Sequence, residues 1–564
     1  PTRLTSDRIH ERVRAFLERV TDDDTVPALA HGQAWLRAYE HGGEALRLGR
    51  SWSSPRKRTL LHPVAVGTVD QALMSVIRVK HFFVRSFALA GKVVILDEVH
   101  TYDMYTGSLL EWMTAQLLAA GATVIVLSAT LTSDGRRRLF PDPAAAPADT
   151  EYPLVAYARG DQAGAIACEG PADRHHRLRL AEMDPSDVAR LASEMADTGH
   201  CVLCIANTVA MAQAWHDAIA AEQTEGGPPL GLLHSRFPAF QREAIETDWM
   251  MRLGKTGNRP RGCILVATQV VEQSLDIDAD LLITALCPMD MLLQRMGRQW
   301  RHHRPGRPGN EPETVIISGS PEGAADADGI IAALGESNCR VYMPYVLLRT
   351  FQVLREMDHL AIPGDIRELI RATYAAAPAD EPAAAAELRE QLTARRDRLR
   401  RYAEAARADV KSLGVLEDRE GVATRYSDLP SVNVLLLDDL RPDGRAARIT
   451  PVDGNGPVTV HADRPDPPTT ARLHRNRLSI PAYWIDRPDG IHAPVWLARH
   501  FYEPTAVLLR DPQSGALTLD GEPTGLWYDP RRGLHRPSSS AQPATGPPAD
   551  PGGAGGIDIT QLDW

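Results

Sequence analysis

The chain has 564 residues, 43% hydrophobic and 24% charged, with a formal net charge of -11. That length holds about three or four domains, and the composition excludes a disordered or fibrous chain. No apolar run approaches a membrane span, and six cysteines in so long a chain exclude a disulfide framework. The chain is expected to be cytoplasmic, with no membrane partner. An acidic total does not advertise nucleic-acid binding, but net charge governs solubility more than any local groove. Basic density is local, at Arg56–Arg58, Arg136–Arg138, Arg295–Arg307 and Arg395–Arg401.

In chain order, Arg8–Val20 carries Ile9, Val13, Phe16, Leu17 and Val20 at helical spacing, which predicts an amphipathic helix. Val93–Leu96 reads as a parallel strand buried on both faces. It stops at Asp97-Glu98, where an open α/β sheet binds its ligand. Val124–Thr130 is another apolar strand ending in Ser128 and Thr130. Pro141–Pro153 is rich in Pro and Ala and reads as an interdomain linker.

Strand and helix patterns then alternate, with strands at His200–Ala206, Gly231–His234, Cys263–Thr268, Leu281–Ala285 and Thr314–Ser318. That rhythm predicts a parallel sheet with right-handed crossovers. Cys201 and Cys204 read as strand core, and His216-Asp217 as helix surface. His175-His176 and His302-His303 are adjacent pairs that, on a helix, share no face for one metal. Glu381–Ser412 is rich in Ala, Glu, Leu and Arg and predicts one long helix with a solvated charged face. Short β-like runs at Val432–Leu437 and Val495–Ala498 suggest a small accessory domain, and Ser538–Gly556 reads as a disordered tail.

The chemistry concentrates between Leu265 and His303. Gln294, Arg295, Gly297, Arg298 and Arg301 form Q-R-x-G-R-x-x-R, read here as two turns of helix. Residues three and four apart share a face, so Gln294, Arg298 and Arg301 can address one target. Arginine's flat fork of donors grips phosphate bidentately. Upstream, the adjacent carboxylates Asp97 and Glu98 at a strand end suit metal chemistry: one can hold Mg²⁺ through water, and the other can orient or deprotonate an attacking water. Taken singly, these segments have ordinary counterparts: a solvated basic helix, an acidic turn, a strand-to-turn transition.

Taken together they resemble superfamily 2 helicases. DEVH at Asp97–His100, SAT at Ser128–Thr130 and QRMGRQWRH at Gln294–His302 are similar to that superfamily's motifs II, III and VI. Gly67–Ser75, Lys92–Asp103, Leu232–Glu243 and Val266–Thr284 resemble, more narrowly, the CRISPR-associated helicase–nuclease of type I interference systems. Ile362–Ile370 and Leu526–Leu534 extend the resemblance more weakly.

The resemblance implies an α/β fold of two RecA-like parallel-sheet domains, the first incomplete, with a long linker helix and a small C-terminal accessory domain. The corresponding divisions are 1–148, 149–365, 366–414 and 415–564. It implies ATP and Mg²⁺ as cofactors. Asp97 would hold the metal, Glu98 the water, Gln294 the γ-phosphate or water, and Arg298 and Arg301 would reach across as fingers. Asp276 and Arg295 would contact nucleotide, and His100, Ser128 and Thr130 would couple the sites. Single-stranded DNA would be held by Thr2, Thr68, Gln71, Thr208, Thr268 and Gln269, and an RNA-guided surveillance complex carrying an R-loop would choose the sequence.

The chain departs from the family in lacking a P-loop. Its Gly254-Lys255-Thr256 has Trp249 where G-x-x-x-x-G-K-[ST] needs the first glycine, and it reads as a surface loop. No convincing HD nuclease motif is present. The P-loop strand, and a nuclease domain with its divalent transition metal, are therefore expected in an upstream half of the same protein. Two other readings remain open at this point: a DEAH-type RNA helicase, and a non-catalytic DNA-clamp or docking fragment.

Overall fold

The computed structural model describes residues 3–21, 27–30, 56–79, 81–99, 104–147, 152–407, 424, 431–485, 493–497, 499–501 and 504–536. Thr2, His100 and the tail at Ser538–Gly556 lie outside them. The fold is mixed α/β with parallel sheets.

The first region holds two short parallel pairs. Strands β1 (Ala28–Ala30) and β2 (Ala65–Gly67) form one, and β3 (Val93–Leu96) and β4 (Thr123–Val126) form the other. The crossover from β3 to β4 is the helix Met104–Ala119. Its Leu109, Leu110, Met113 and Leu117 pack against Val94, Leu96, Leu73 and Ile77. Successive strand side chains point to opposite faces, so Val93, Ile95, Ile125 and Leu127 face away. They are 63%, 61%, 40% and 47% exposed. The expectation of a strand buried on both faces is corrected: one face is covered. The helix Arg3–Val20 forms, but Phe16 and Val20 of its apolar stripe are also exposed.

The second region is a seven-stranded sheet. Its strands follow a solvent-facing hairpin of β5 (Leu154–Arg159) and β6 (Gln162–Ala167). They are β7 (Arg174–Ala181), β8 (Cys201–Ile205), β9 (Leu230–Leu233), β10 (Cys263–Ala267), β11 (Leu281–Ala285), β12 (Glu313–Ile317) and β13 (His359–Ile362). Their order is β13-β7-β12-β11-β8-β10-β9, parallel except where β13 runs against β7. Strands β8, β10 and β11 are buried at every position, which is why they read as continuous apolar runs. Cys201 and Cys204 are strand core. His175-His176 lies on strand β7, not a helix, and burial pushes the His176 imidazole down to about 4.

The helix Ala383–Ala406 joins the regions. Leu388 and Leu392 belong to the core of the seven-stranded sheet, and Leu399, Ala403 and Ala406 to the core under β3 and β4. Its charged face is largely solvated, as expected, but its apolar face ties two cores together. The C-terminal region is an eight-stranded sheet between Ser431 and His535.

That sheet docks on the second region. His234 Nε2 donates to the Arg532 carbonyl at 3.1 Å, Leu534 N donates to the Arg236 carbonyl at 3.0 Å, and Arg532 pairs with Asp217 at 2.7 Å. The Arg236 guanidinium lies 3.8 Å over the Trp484 ring. Two sequence blocks some three hundred residues apart, Leu232–Glu243 and Leu526–Leu534, are therefore one interface. Asp217 is a docking residue, which corrects its reading as plain helix surface.

Candidate nucleotide and nucleic-acid site

Many of the candidate residues follow the carboxyl ends of parallel strands. Thr68 follows β2, Asp97 and Glu98 follow β3, and Ser128 and Thr130 follow β4. Asn207 and Thr208 follow β8, and Thr268 and Gln269 follow β10. Asp97 Oδ1 accepts the Glu98 amide at 3.1 Å, and Glu98 holds a left-handed φ of 57°. Such backbone conformations concentrate at functional sites.

The arginine motif does not lie on one helix. The helix Met289–Met296 buries Met289, Leu292, Leu293 and Met296, and Gly297 ends it. The Arg298 amide bonds the Arg295 carbonyl at 2.9 Å, and the chain then pairs with Ala279 through Trp300. Arg298 and Arg301 therefore sit on a turn beyond the helix. This corrects the two-turn reading; the glycine inside the motif was the signal for it.

Arg295 is fully buried, and every nitrogen of its guanidinium is engaged. Nε donates to Glu272 at 2.7 Å, one terminal nitrogen to Thr284 Oγ1 and the Ala285 carbonyl, and the other to Asn207 Oδ1 and Tyr342 Oη. It has no donor left for a nucleotide, so it is an internal brace. Burial pushes the Glu272 carboxyl up, and Arg295 partly offsets that. Sequence reasoning missed Asn207, Glu272 and Tyr342. Glu272 lies inside the matched Val266–Thr284 block, whereas Tyr342 carried no signal.

Arg298 is different. One terminal nitrogen donates to the Glu272 carbonyl, and its buried Nε has no hydrogen-bond partner. Burial and the neighbouring Arg301 push its pKa down to about 10, while Asp276, Glu98 and Glu272 oppose the shift. The guanidinium thus lies in the field of Glu98, from the first region. Arg301 donates through Nε to Asp276 Oδ1 at 2.6 Å, with both side chains substantially exposed. The Gln294 amide makes a long 3.9 Å contact to Met291 Sδ.

The proposed DNA contacts are placed more variously. Thr208 Oγ1 caps the helix Val209–Glu222 by accepting from Met211 N at 3.1 Å. The Gln269 amide donates to the Asn207 carbonyl at 2.8 Å and to Tyr342 Oη at 3.3 Å. Thr68 and Thr268 are buried, while Gln71 and Ser128 are half-buried. Thr130 is buried, with Oγ1 unpartnered. Among the described residues no group of three or more His, Cys, Asp or Glu could hold a metal ion, and no helix is long and apolar enough to cross a membrane.

Residues 198–304 match the family described as CRISPR-associated nuclease/helicase Cas3, C-terminal. The chain belongs with the helicase portion of the Cas3 family. A CRISPR-associated endonuclease/helicase Cas3 from Thermus thermophilus is 35% identical over 432 residues, 66% of this chain and 46% of that protein. The chain spans about half the length of the curated relatives it matches. The crystal structure of T. fusca Cas3 superposes with a TM-score of 0.78 at 27% identity, covering 95% of this chain and 64% of that one. The T. fusca Cas3-AMPPNP structure gives 0.77 at 28% identity with the same coverage. The matched stretch, residues 198–304, contains the docking block at Leu232–Glu243, the strands β8 to β11 and the arginine motif.

Proposed function

We propose that this chain is the motor portion of an ATP-dependent single-stranded DNA translocase that unwinds invading DNA and feeds it to an HD nuclease in CRISPR interference. The observation that carries the reading is Arg298. Its guanidinium lies in the field of Glu98, which follows β3, and keeps an unpartnered Nε. A cross-domain arginine of this kind stabilises charge developing on a transferred γ-phosphoryl group.

Glu98 orients the attacking water, Gln294 positions that water or the γ-phosphate, and Asp276 holds Arg301. Asp97 fits a Mg²⁺ ion bound by one carboxylate and otherwise by phosphates and water. When bound, that ion neutralises phosphate charge. The transition metal belongs to the nuclease domain. DNA is gripped by backbone-directed contacts at the strand ends, so sequence choice falls to an RNA-guided surveillance complex holding an R-loop.

The open face of β3 and β4 supports completion of the first domain by further polypeptide. Parallel sheets are buried on both faces, and Val93 and Ile95 here meet solvent. We propose that a P-loop-bearing segment packs there. The same openness favours the second reading, a docking fragment with no hydrolysis of its own.

DNA-stimulated ATP hydrolysis tests both. The chain alone is expected to be inactive. With a P-loop-bearing upstream segment supplied, turnover is expected to appear. Glu98→Gln should then abolish turnover while ATP and DNA binding persist, and Arg298→Ala should lower it by at least about 10³-fold. No turnover in the completed protein leaves the docking reading standing. Loss of DNA binding with hydrolysis intact in Arg298→Ala removes the finger assignment.

A further inference from the structure

Below the arginine turn lies a charge cluster that no step of the proposed cycle uses. Asp278 and Asp280, both fully or almost fully buried, precede β11. Asp278 Oδ2 accepts from Arg304 Nε and from Arg307, each at 2.7 Å. Asp280 accepts from Arg307 at 2.7 Å, from Arg259 at 2.6 Å and from the Cys201 amide at 2.8 Å. Asp278 Oδ1 takes the Arg301 amide itself at 2.9 Å.

The backbone reinforces this. Ala279 N donates to the Arg298 carbonyl at 2.9 Å, and Trp300 N donates to the Ala279 carbonyl at 3.0 Å. Segment 298–301 is thus held to 278–280 from both sides, with Trp300 at a left-handed φ of 45°. A non-glycine residue adopts that conformation only where its surroundings over-determine it. Arg307 also lies 4.9 Å from the Trp300 ring centroid.

Buried ion clusters are a poor route to stability, because desolvation cancels much of the attraction; a better-attested use is to specify one conformation. We infer that Asp278 and Asp280, clamped by Arg259, Arg304 and Arg307, are positioning residues that set the turn presenting Arg298 and Arg301 to the cleft. The inference rests on the proposed roles of those two arginines.

The test compares Arg304→Gln and Arg304→Lys in the full chain by hydrogen exchange, and in the P-loop-completed protein by ATP turnover. Arg304→Gln is expected to speed exchange of the 298–301 amides about tenfold while β8 and β10 keep parental protection. Turnover should fall about tenfold with the KM for ATP within about twofold, and Arg304→Lys should recover most of it. Unchanged exchange in 298–301, or equal loosening of β8 and β10 in both variants, overturns the inference. Should Arg304→Gln unfold the domain, Arg259→Gln, which loosens the same cluster at Asp280, is read by the same criterion. Arg301→Ala separates the two ideas: full turnover in that variant defeats the finger reading, while the exchange comparison still decides the positioning role.

Discussion

Arg295 carries a charge where no water reaches it. Glu272 supplies the countercharge at 2.7 Å, and Asn207, Thr284 and Tyr342 take the remaining donors. Removing one partner of such a pair strands the other charge in the core, which costs about 3–5 kcal/mol. Arg295→Ala should therefore lower the unfolding free energy by that amount, read from urea denaturation. Arg298→Ala, three positions later, should lower it far less, because much of that side chain's hydrogen-bonding capacity is unspent. Similar losses in both would mean that Arg298 is also a brace. The resemblance assigned Arg295 to nucleotide contact and Arg298 and Arg301 to fingers. What separates them is which carbonyls and carboxylates come within reach, and those arrive from strands and helices distant in sequence.

At the scale of elements, the helix Ala383–Ala406 is a strut. An α-helix rises about 1.5 Å per residue, so its two halves reach two separate cores. Leu388 is in one core and Leu399 in the other. Leu→Ala in a core costs about 2–5 kcal/mol. Leu399→Ala should raise amide exchange in the helix Met104–Ala119 and leave β8 and β10 unchanged; Leu388→Ala should do the reverse. Identical exchange changes from both variants would mean that the cores unfold as one unit. The seam at Gly533 makes a second prediction. Its φ of 73° and its position leave no room for a side chain: a Cβ would lie 2.7 Å from His234 Cε1 and 3.0 Å from the Arg236 carbonyl. Gly533→Ala should loosen the docked sheet, seen as faster exchange across Leu232–Glu243, while β11 stays protected.

For the molecule as a whole, two buried histidines set an acid limit. Burial pushes His234 down to about 3, partly countered by its bond to the Arg532 carbonyl, and pushes His176 down to about 4, aided by Arg174. Both stay neutral in the fold well below the ordinary value of about 6.5. The unfolded chain therefore binds more protons between those values. The stability they allow is complete above about pH 6.5 and is lost as pH falls toward the folded values. At pH 5 each should cost about 2 kcal/mol relative to pH 8. Urea midpoints across that range should fall with pH, and a His176→Gln, His234→Gln chain should lose most of the slope. An unchanged slope in the double variant would assign the loss to other groups.

Local pattern determined much of this protein. Apolar runs gave β8, β10 and β11 to within about a residue, because strands buried in a parallel sheet are written as continuous hydrophobic stretches; β3 was read from the same kind of run, although only one of its faces is covered. Strands β7 and β13 were not read, since each alternates or lies at an edge and depends on its neighbour for definition. The Asp97-Glu98 and Arg298-Arg301 motifs could be singled out as candidates, because few residue types handle phosphate and water. Their division of labour could not. That Arg295 is a brace, that Arg298 lies in the field of Glu98, and that Asp278 and Asp280 hold the turn were decided by the tertiary structure alone. Burial, charge and donor geometry belong to the space between segments, and no stretch of sequence contains them.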